Sequence, residues 1–172
     1  MTSAAHFVKF YDADDNLIDA VSRFVHEGIV ADGTCVVLAT SAHRELIGAR
    51  LQGMGLNPDA LAAEYRYIAL DVHLILLSFM SDEGPDQQRF HQNMGLLMRQ
   101  AASRGQPVRV FGEMVSLLAE DGQVQAAIRL EELWNELSRH QNFTLFCAYR
   151  MGPLLNDIKT QTLIRAIHSH AL

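Results

Sequence analysis

Residues 34–40 read TCVVLAT, an apolar run in which apolar and polar side chains do not alternate. A strand of this kind is buried on both faces, which is typical of a parallel sheet covered by helices on either side. The next segment carries Leu46, Ile47 and Leu51 at helical spacing and stops at Gly53. The sequence therefore predicts a buried strand followed by a helix, with Ser41 as the cap of that helix.

The same succession of strand and helix continues in both directions along the chain. Further β-type runs are HFVKFY (6–11), RYIALD (66–71), VRVFGE (108–113) and FTLFCAY (143–149). Helical patterns cover about 16–29, 58–63, 73–80, 86–103, 123–139 and a final stretch to about 168, with Asp14 or Asp15 as cap of the first and a turn at 83–85. The pattern predicts one α/β domain over residues 1–172, with three layers and a mostly parallel sheet.

The basic residues exclude the commonest nucleotide site. Of 14 basic residues only Lys9 and Lys159 are lysines, and neither follows a glycine, so the chain has no G-x-x-x-x-G-K-[ST] phosphate loop. The net charge of -6, with scattered arginines, also gives no basic face for nucleic acid. No apolar run approaches the roughly 18 residues that a membrane span needs.

The two cysteines indicate the cellular compartment. Cys35 and Cys147 lie inside apolar runs, and the opening residues MTSAAHFVKF lack the apolar core of a signal peptide. We expect reduced thiols and a cytoplasmic protein.

Polar residues follow each predicted strand, at the edge where open α/β sheets bind ligands. They are Tyr11, Asp12, Thr40, Ser41, His43, Asp71, His73, Gly112, Glu113, Tyr149 and Arg150. This mixture of hydroxyls, imidazoles, carboxylates and a guanidinium suits a pocket for a small polar or amphipathic ligand. The alternative is that strands end in loops, which are polar in any protein of this class.

Three positions in this pattern allow two interpretations each. The segment TSAHREL, 40–46, stands where a phosphate loop would be, and His43 either faces a ligand or solvates a helix start. Glu113 is either a hydrogen-bond acceptor for Arg109 or a helix N-terminus, or a ligand contact. Glu131 and Asn135, at i and i+4, either tether a helix to the sheet or form a polar pocket wall with Trp134 as its apolar floor.

Local spacing gives no metal or nucleophile motif. The eight histidines form no H-E-x-x-H, the cysteines form no C-x-x-C, and the close pair is His168-x-His170 at the terminus, so we predict no metal site. There is no G-x-S-x-G elbow. Cys147 paired with a histidine remains open as a nucleophile, although a cysteine inside LFCAY is more often a buried apolar residue.

Several motifs occur in a fixed order over residues 6–150: H-x-x-x-F-Y at 6–11, Leu70-Asp71, VRVFGEM, LEELWNEL and FCAY. Together they resemble the MEDS sensory domains, named for a methanogen/methylotroph dichloromethane-responsive regulator. The resemblance implies a RecA-like α/β scaffold without a working phosphate loop and a sensory role in bacterial or archaeal signalling, with small organic ligands. The family's motif positions fall on His6, Tyr11, Arg109, Glu113, Glu131, Trp134, Asn135, Cys147 and Tyr149.

Such domains often accompany a DNA-binding, histidine-kinase or anti-sigma module, and residues 1–172 contain no such module. We therefore expect a non-catalytic sensor, without a cofactor, that signals in trans to a histidine kinase or a transcription or sigma-factor regulator. Its expected ligand-binding residues are His6, Tyr11, His43, Arg109, Glu113, Glu131, Asn135 and Tyr149. The alternative is a protein-interaction module, such as a homodimer formed through helices 86–103 and 153–168. An enzyme with Glu113 as base is the third hypothesis.

Overall fold

The structure is a computed structural model that describes residues 5–152. The last predicted helix and the histidine pair at 168 and 170 lie outside this range.

A five-stranded parallel sheet forms the centre of the described part, as the apolar runs predict. The strands of this sheet are β1 (His6–Tyr11), β2 (Thr34–Ala39), β3 (Tyr67–Asp71), β6 (Val108–Gly112) and β7 (Thr144–Arg150). Two short strands of two residues each, β4 (Met80–Ser81) and β5 (Gly84–Pro85), lie outside it. The sheet order is β1-β7-β6-β2-β3, and every neighbouring pair in it is parallel. Strands β4 and β5 form a separate hairpin around the predicted turn.

Within residues 5–152, seven α-helices connect the strands. They are α1 (Asp14–Val30), α2 (Ser41–Gly53), α3 (Pro58–Ala63), α4 (Val72–Phe79), α5 (Gln87–Ala101), α6 (Met114–Glu120) and α7 (Val124–Ser138). The predicted cap of α2 is wrong by one residue, because the side chain of Thr40, and not Ser41, accepts a hydrogen bond from the His43 N–H. Helix α1 begins after Ala13 without a side-chain cap, and its two predicted cap residues, Asp14 and Asp15, lie in its first turn, where the helix dipole favours carboxylates.

Helix α6 was not predicted from the sequence. It has only seven residues, and five of them are buried, so it shows no contrast between an apolar and a polar face. Helical periodicity needs a longer segment to become visible. The helix follows β6 after the single residue Glu113.

Side chains of the sheet point alternately to two separate cores, which makes the three layers. In β2, Val36 and Leu38 pack with α4, α5, α6 and α7. Cys35, Val37 and Ala39 pack on the other face with α1, α2 and α3. Continuous burial of this strand is therefore the result of helices on both faces. The three-layer α/β prediction is confirmed, and the RecA-like relationship stays a prediction.

The chain leaves the neighbouring ends of β2 and β6 in opposite directions. After β2 it forms α2 and α3 on one face and continues to β3, whereas after β6 it forms α6 and α7 on the other face and continues to β7. The carboxyl ends of β2 and β6 thus flank the topological switch point, the place where open α/β sheets have a crevice.

Gly33 has no side chain, which allows the start of β2 to lie close to the backbone at Gly28 and Pro107. A Cβ atom at this position would lie 2.9 Å from the carbonyl oxygens of both Gly28 and Pro107, and backbone cannot swing away as a side chain can. We predict that Gly33→Ala lowers the free energy of unfolding by about 1–3 kcal/mol. Urea denaturation measures the change.

Gly48 provides the matched control, because it lies within α2 and a Cβ there would meet no atom within 4 Å. Gly48→Ala is expected to raise the free energy of unfolding by about 0.5–1 kcal/mol through helix propensity. Equal effects of the two substitutions would contradict the packing assigned to Gly33.

Candidate functional site

Glu113 is a buried carboxylate at the switch point. Its side chain is only 5% exposed, and its N–H donates to the Leu38 carbonyl at 3.0 Å, which fixes it beside the end of β2. Its Oε2 accepts a hydrogen bond of 2.8 Å from the N–H of Thr40, the residue that caps α2. Glu113 is thus an acceptor for a helix N-terminus, one of the two partners expected from the sequence.

His43 holds the other oxygen of Glu113. Its Nδ1 contacts Glu113 Oε1, and its Nε2 lies 3.7 Å from an oxygen of Asp14 on α1. The hydrogen bond to Glu113 raises the pKa of His43 above the ordinary value of 6.5, and the carboxylates of Glu113 and Asp14 add to this, against a smaller lowering by burial. The imidazolium is therefore favoured between two carboxylates.

The charges continue beyond His43 to the end of β7. Arg150 NH2 lies 3.2 Å from the other oxygen of Asp14. Alternating charges thus join the ends of two strands to the first turns of α1 and α2. Tyr11 lies nearby, where burial, with the charges of Glu113 and Glu120, raises its pKa to about 12. Its hydroxyl therefore stays protonated.

A second polar cluster lies between α7 and strands β1 and β7. The Tyr149 hydroxyl donates to Glu131 Oε1 at 2.6 Å, and His6 Nε2 lies 3.4 Å from Glu131 Oε2. His6 also contacts Cys147 Sγ at 3.3 Å through Nε2 and Asn135 Oδ1 at 3.0 Å through Nδ1. Five motif residues of the sequence therefore form one connected group.

Burial controls the ionisation of this cluster. The side chain of Glu131 is 1% exposed, and desolvation raises its pKa to about 7, opposed by the hydrogen bonds from Tyr149 and Cys147. Desolvation also lowers the pKa of His6 and raises the pKa of the Cys147 thiol well above its ordinary range. Burial therefore favours the neutral thiol of Cys147 over the thiolate, and the residue is buried, as its apolar run suggested.

Trp134 belongs to the core. Its ring meets those of Phe90 and Phe143 edge to face, with centroids 5.2 Å and 5.9 Å away. Trp134 is therefore buried core and not the floor of a pocket, and the hydrogen bond of Glu131 to Tyr149 ties α7 to β7, the other interpretation of the i, i+4 pair.

Arg109 does not join either group. It is the second residue of β6, far from the carboxyl end of that strand, and it pairs in the sheet with Cys35. Its guanidinium donates to the Phe24 carbonyl at 2.8 Å, contacts Glu27 at 3.3 Å and lies 5.0 Å from the centre of the Phe24 ring. The expectation that Arg109 meets Glu113 and Tyr11 is corrected by this position.

Asp71, a further residue of the predicted edge, has structural partners. Asp71 caps α4 by accepting from the N–H groups of His73 and Leu74, and its second oxygen pairs with Arg44 at 3.0 Å. Arg44 therefore connects the starts of α2 and α4 and is not directed at the switch point.

The family assignment agrees with the motif residues in these clusters. The family model described as "MEDS: MEthanogen/methylotroph, DcmR Sensory domain" matches residues 5–171, nearly the whole chain. The chain belongs to the MEDS family. No curated protein matches it. MEDS domains are sensory domains, so a signalling role follows at that level. None of the helices within residues 5–152 is long and apolar enough to cross a bilayer.

Sequence reasoning missed two parts of the MEDS domain's sites. It treated Asp14 only as a helix cap, although this carboxylate lies between His43 and Arg150. Motifs of short spacing cannot show His6 and Cys147 together, because these residues meet only through the pairing of β1 with β7. The motif order of the family was the available signal, since both residues are among its positions.

The raised pKa of His43 predicts a specific dependence of stability on pH. Because the folded state binds this proton more tightly than the unfolded state, the extra stability is complete below about pH 6.5 and is lost as pH rises through the folded pKa. We predict that the difference in free energy of unfolding between the wild type and His43→Asn shrinks from about pH 6 to about pH 9. Urea denaturation across this range measures it.

The exposed His140 serves as control. His140→Asn is expected to change the free energy of unfolding by less than about 0.5 kcal/mol at every pH. A wild-type advantage over His43→Asn that stays constant with pH would contradict the charged pair.

Proposed function

We propose that this MEDS domain is a non-catalytic sensor that binds a small organic molecule at the topological switch point between the carboxyl ends of β2 and β6. The observation that supports this most is the position of Glu113, a buried carboxylate at the topological switch point. Crevices of this kind are the usual ligand sites of open α/β sheets. The motif residues and the sensory family support the same role.

The groups at the crevice suggest the class of ligand. Glu113 is an acceptor, while the Thr40 N–H and the His43 ring are donors at the start of α2. A small molecule with a hydroxyl or carboxylate group can replace one of these internal hydrogen bonds. A carboxylate would also be favoured by the helix dipole.

The same contacts offer a way to transmit binding. Glu113 precedes α6 and accepts the first hydrogen bond of that helix through its carbonyl, and its side chain holds the start of α2. A ligand that separates His43 from Glu113 would therefore change the positions of two helices on opposite faces of the sheet. The ligand must bind the rearranged state more tightly, since equal affinity for both states would shift nothing.

Signalling would occur in trans. A histidine kinase, or a regulator of transcription or of a sigma factor, would recognise the changed surface. Both oxygens of Glu113 are engaged by the start of α2, which supports a binding role for this residue over that of a catalytic base.

Thermal shift with a panel of short alcohols, carboxylates and halogenated one-carbon compounds tests the site. At least one compound is expected to raise the Tm of the wild type, and Glu113→Gln is expected to abolish that shift by removing the charge of the acceptor. Glu132→Gln is the control, because this carboxylate is exposed and paired with Arg129 on the surface of α7. A shift that survives Glu113→Gln, or no shift with any compound, would exclude the crevice.

An interaction module remains the second candidate, with a different surface from the one expected. Helix α5 buries its apolar residues, and Leu96 is its one large apolar side chain recorded as exposed. On α4, however, Leu74 and Leu77 are 68% and 74% exposed at i and i+3. Neighbouring apolar side chains of this kind are typical of protein interfaces.

Light scattering tests the dimer. If α4 forms the interface, the wild type is a dimer at micromolar concentration, and Leu74→Glu with Leu77→Glu converts it to a monomer with an unchanged helical spectrum. The matched control is Leu46→Glu, an exposed leucine on α2. A monomeric wild type would rule out this candidate.

A further inference from the structure

The group formed by His6, Glu131 and Cys147 combines three side chains that bind metals. One potential ligand atom from each, a ring nitrogen, a carboxylate oxygen and a sulfur, lies within 4.8 Å of the other two. They come from β1, α7 and β7, so no short sequence motif contains them. The exclusion of a metal from local spacing therefore does not apply to this group.

We propose that these three residues form a binding site for a divalent transition-metal ion of the zinc type. The nitrogen, oxygen and thiolate set suits borderline ions such as Zn²⁺ and Co²⁺, and suits Mg²⁺ and Ca²⁺ poorly because those ions prefer oxygen ligands only. Three protein ligands leave the fourth position of a tetrahedral ion to water or a small molecule.

The distances fit a tetrahedral ion. At bond lengths of about 2.3 Å to sulfur and about 2.0–2.1 Å to nitrogen and oxygen, the ligand atoms of a tetrahedron are about 3.4–3.6 Å apart. His6 Nε2 lies 3.3 Å from Cys147 Sγ and 3.4 Å from Glu131 Oε2. The third pair, Cys147 and Glu131, has its ligand atoms within 4.8 Å of each other.

Outer hydrogen bonds already orient two of the ligands. Asn135 Oδ1 lies 3.0 Å from His6 Nδ1, so a proton on Nδ1 directs the lone pair of Nε2 at the other two ligands. Tyr149 donates to Glu131 Oε1 at 2.6 Å, which leaves Oε2 on the side of His6. Partners of this kind are found around most protein metal sites, where they fix the tautomer and the ring orientation.

Because the three ligands are buried, a bound ion would affect the stability of the fold. The side chains of His6 and Glu131 are 5% and 1% exposed, and Cys147 is also buried. A bound ion takes Cys147 as thiolate, and the thiol proton passes to solvent. The ion would thus join the first strand, the last described strand and α7, and would add its binding free energy to the stability of the fold.

Co²⁺ is the probe, because thiolate coordination gives a charge-transfer band in the near ultraviolet and tetrahedral geometry gives strong visible bands. The purified chain, refolded from urea with Co²⁺, is expected to show both bands at one ion per chain, and Zn²⁺ is expected to displace them. Cys147→Ser should remove the charge-transfer band, and His6→Gln should weaken binding at least about tenfold. Cys35→Ser is the matched control, since this second buried cysteine lies on the opposite core and should leave both bands unchanged.

Tyr149→Phe keeps all three ligands and loses only the outer hydrogen bond, so it is expected to retain the bands with about 10–100-fold weaker affinity. If circular dichroism shows that Cys147→Ser does not fold, the affinity of Tyr149→Phe for Co²⁺ tests the metal site instead. The site is excluded if the folded wild type gives no charge-transfer band, if the band survives Cys147→Ser, or if Tyr149→Phe binds with unchanged affinity. Neither His43 nor Glu113 takes part, so these outcomes are independent of the ligand crevice.

Discussion

A carboxylate removed from water must be hydrogen bonded, paired with a cation or protonated, and the described chain buries two of them. Glu113 is satisfied by the start of α2, which requires that Thr40 and His43 stand beside the end of β6. Glu131 accepts a hydrogen bond from Tyr149 and lies 3.4 Å from His6 Nε2, which requires that α7 cover strands β1 and β7 at one register. Each pairing fixes a helix against the sheet, and each does so with residues of different elements.

The two buried carboxylates lie in different parts of the fold. Glu113 stands at an edge where the chain departs to both faces, and its side-chain partners belong to the start of α2. Glu131 lies on the buried face of α7 in the larger core, with Leu130 and Trp134 of the same helix also buried. Because interiors are close-packed, a change in the position of this side chain would disturb the packing of α7 on the sheet.

The sequence predicted the sheet well because burial leaves a strong local signal. TCVVLAT and FTLFCAY are recognisable without neighbours, and the helices between them are long enough to show their period. The order of the strands has no such signal, so the residues after each strand could be found but not assigned to a common crevice. The clearest error is the predicted contact between Arg109 and Glu113. Arg109 is the second residue of β6, whereas Glu113 follows the last residue of that strand, so the two lie at opposite ends of it. His6 and Cys147 could be brought together only by knowing that β1 lies beside β7.

The position of β1 has a consequence for synthesis of the chain. In the described part this strand has one partner in the sheet, β7, and the paired residues His6 and Leu145 are about 140 positions apart. On the ribosome the first strand must therefore wait, with its backbone unpaired, until almost all of the described chain has emerged. Such long-range pairing is slow because the intervening loop must be closed before the contact contributes.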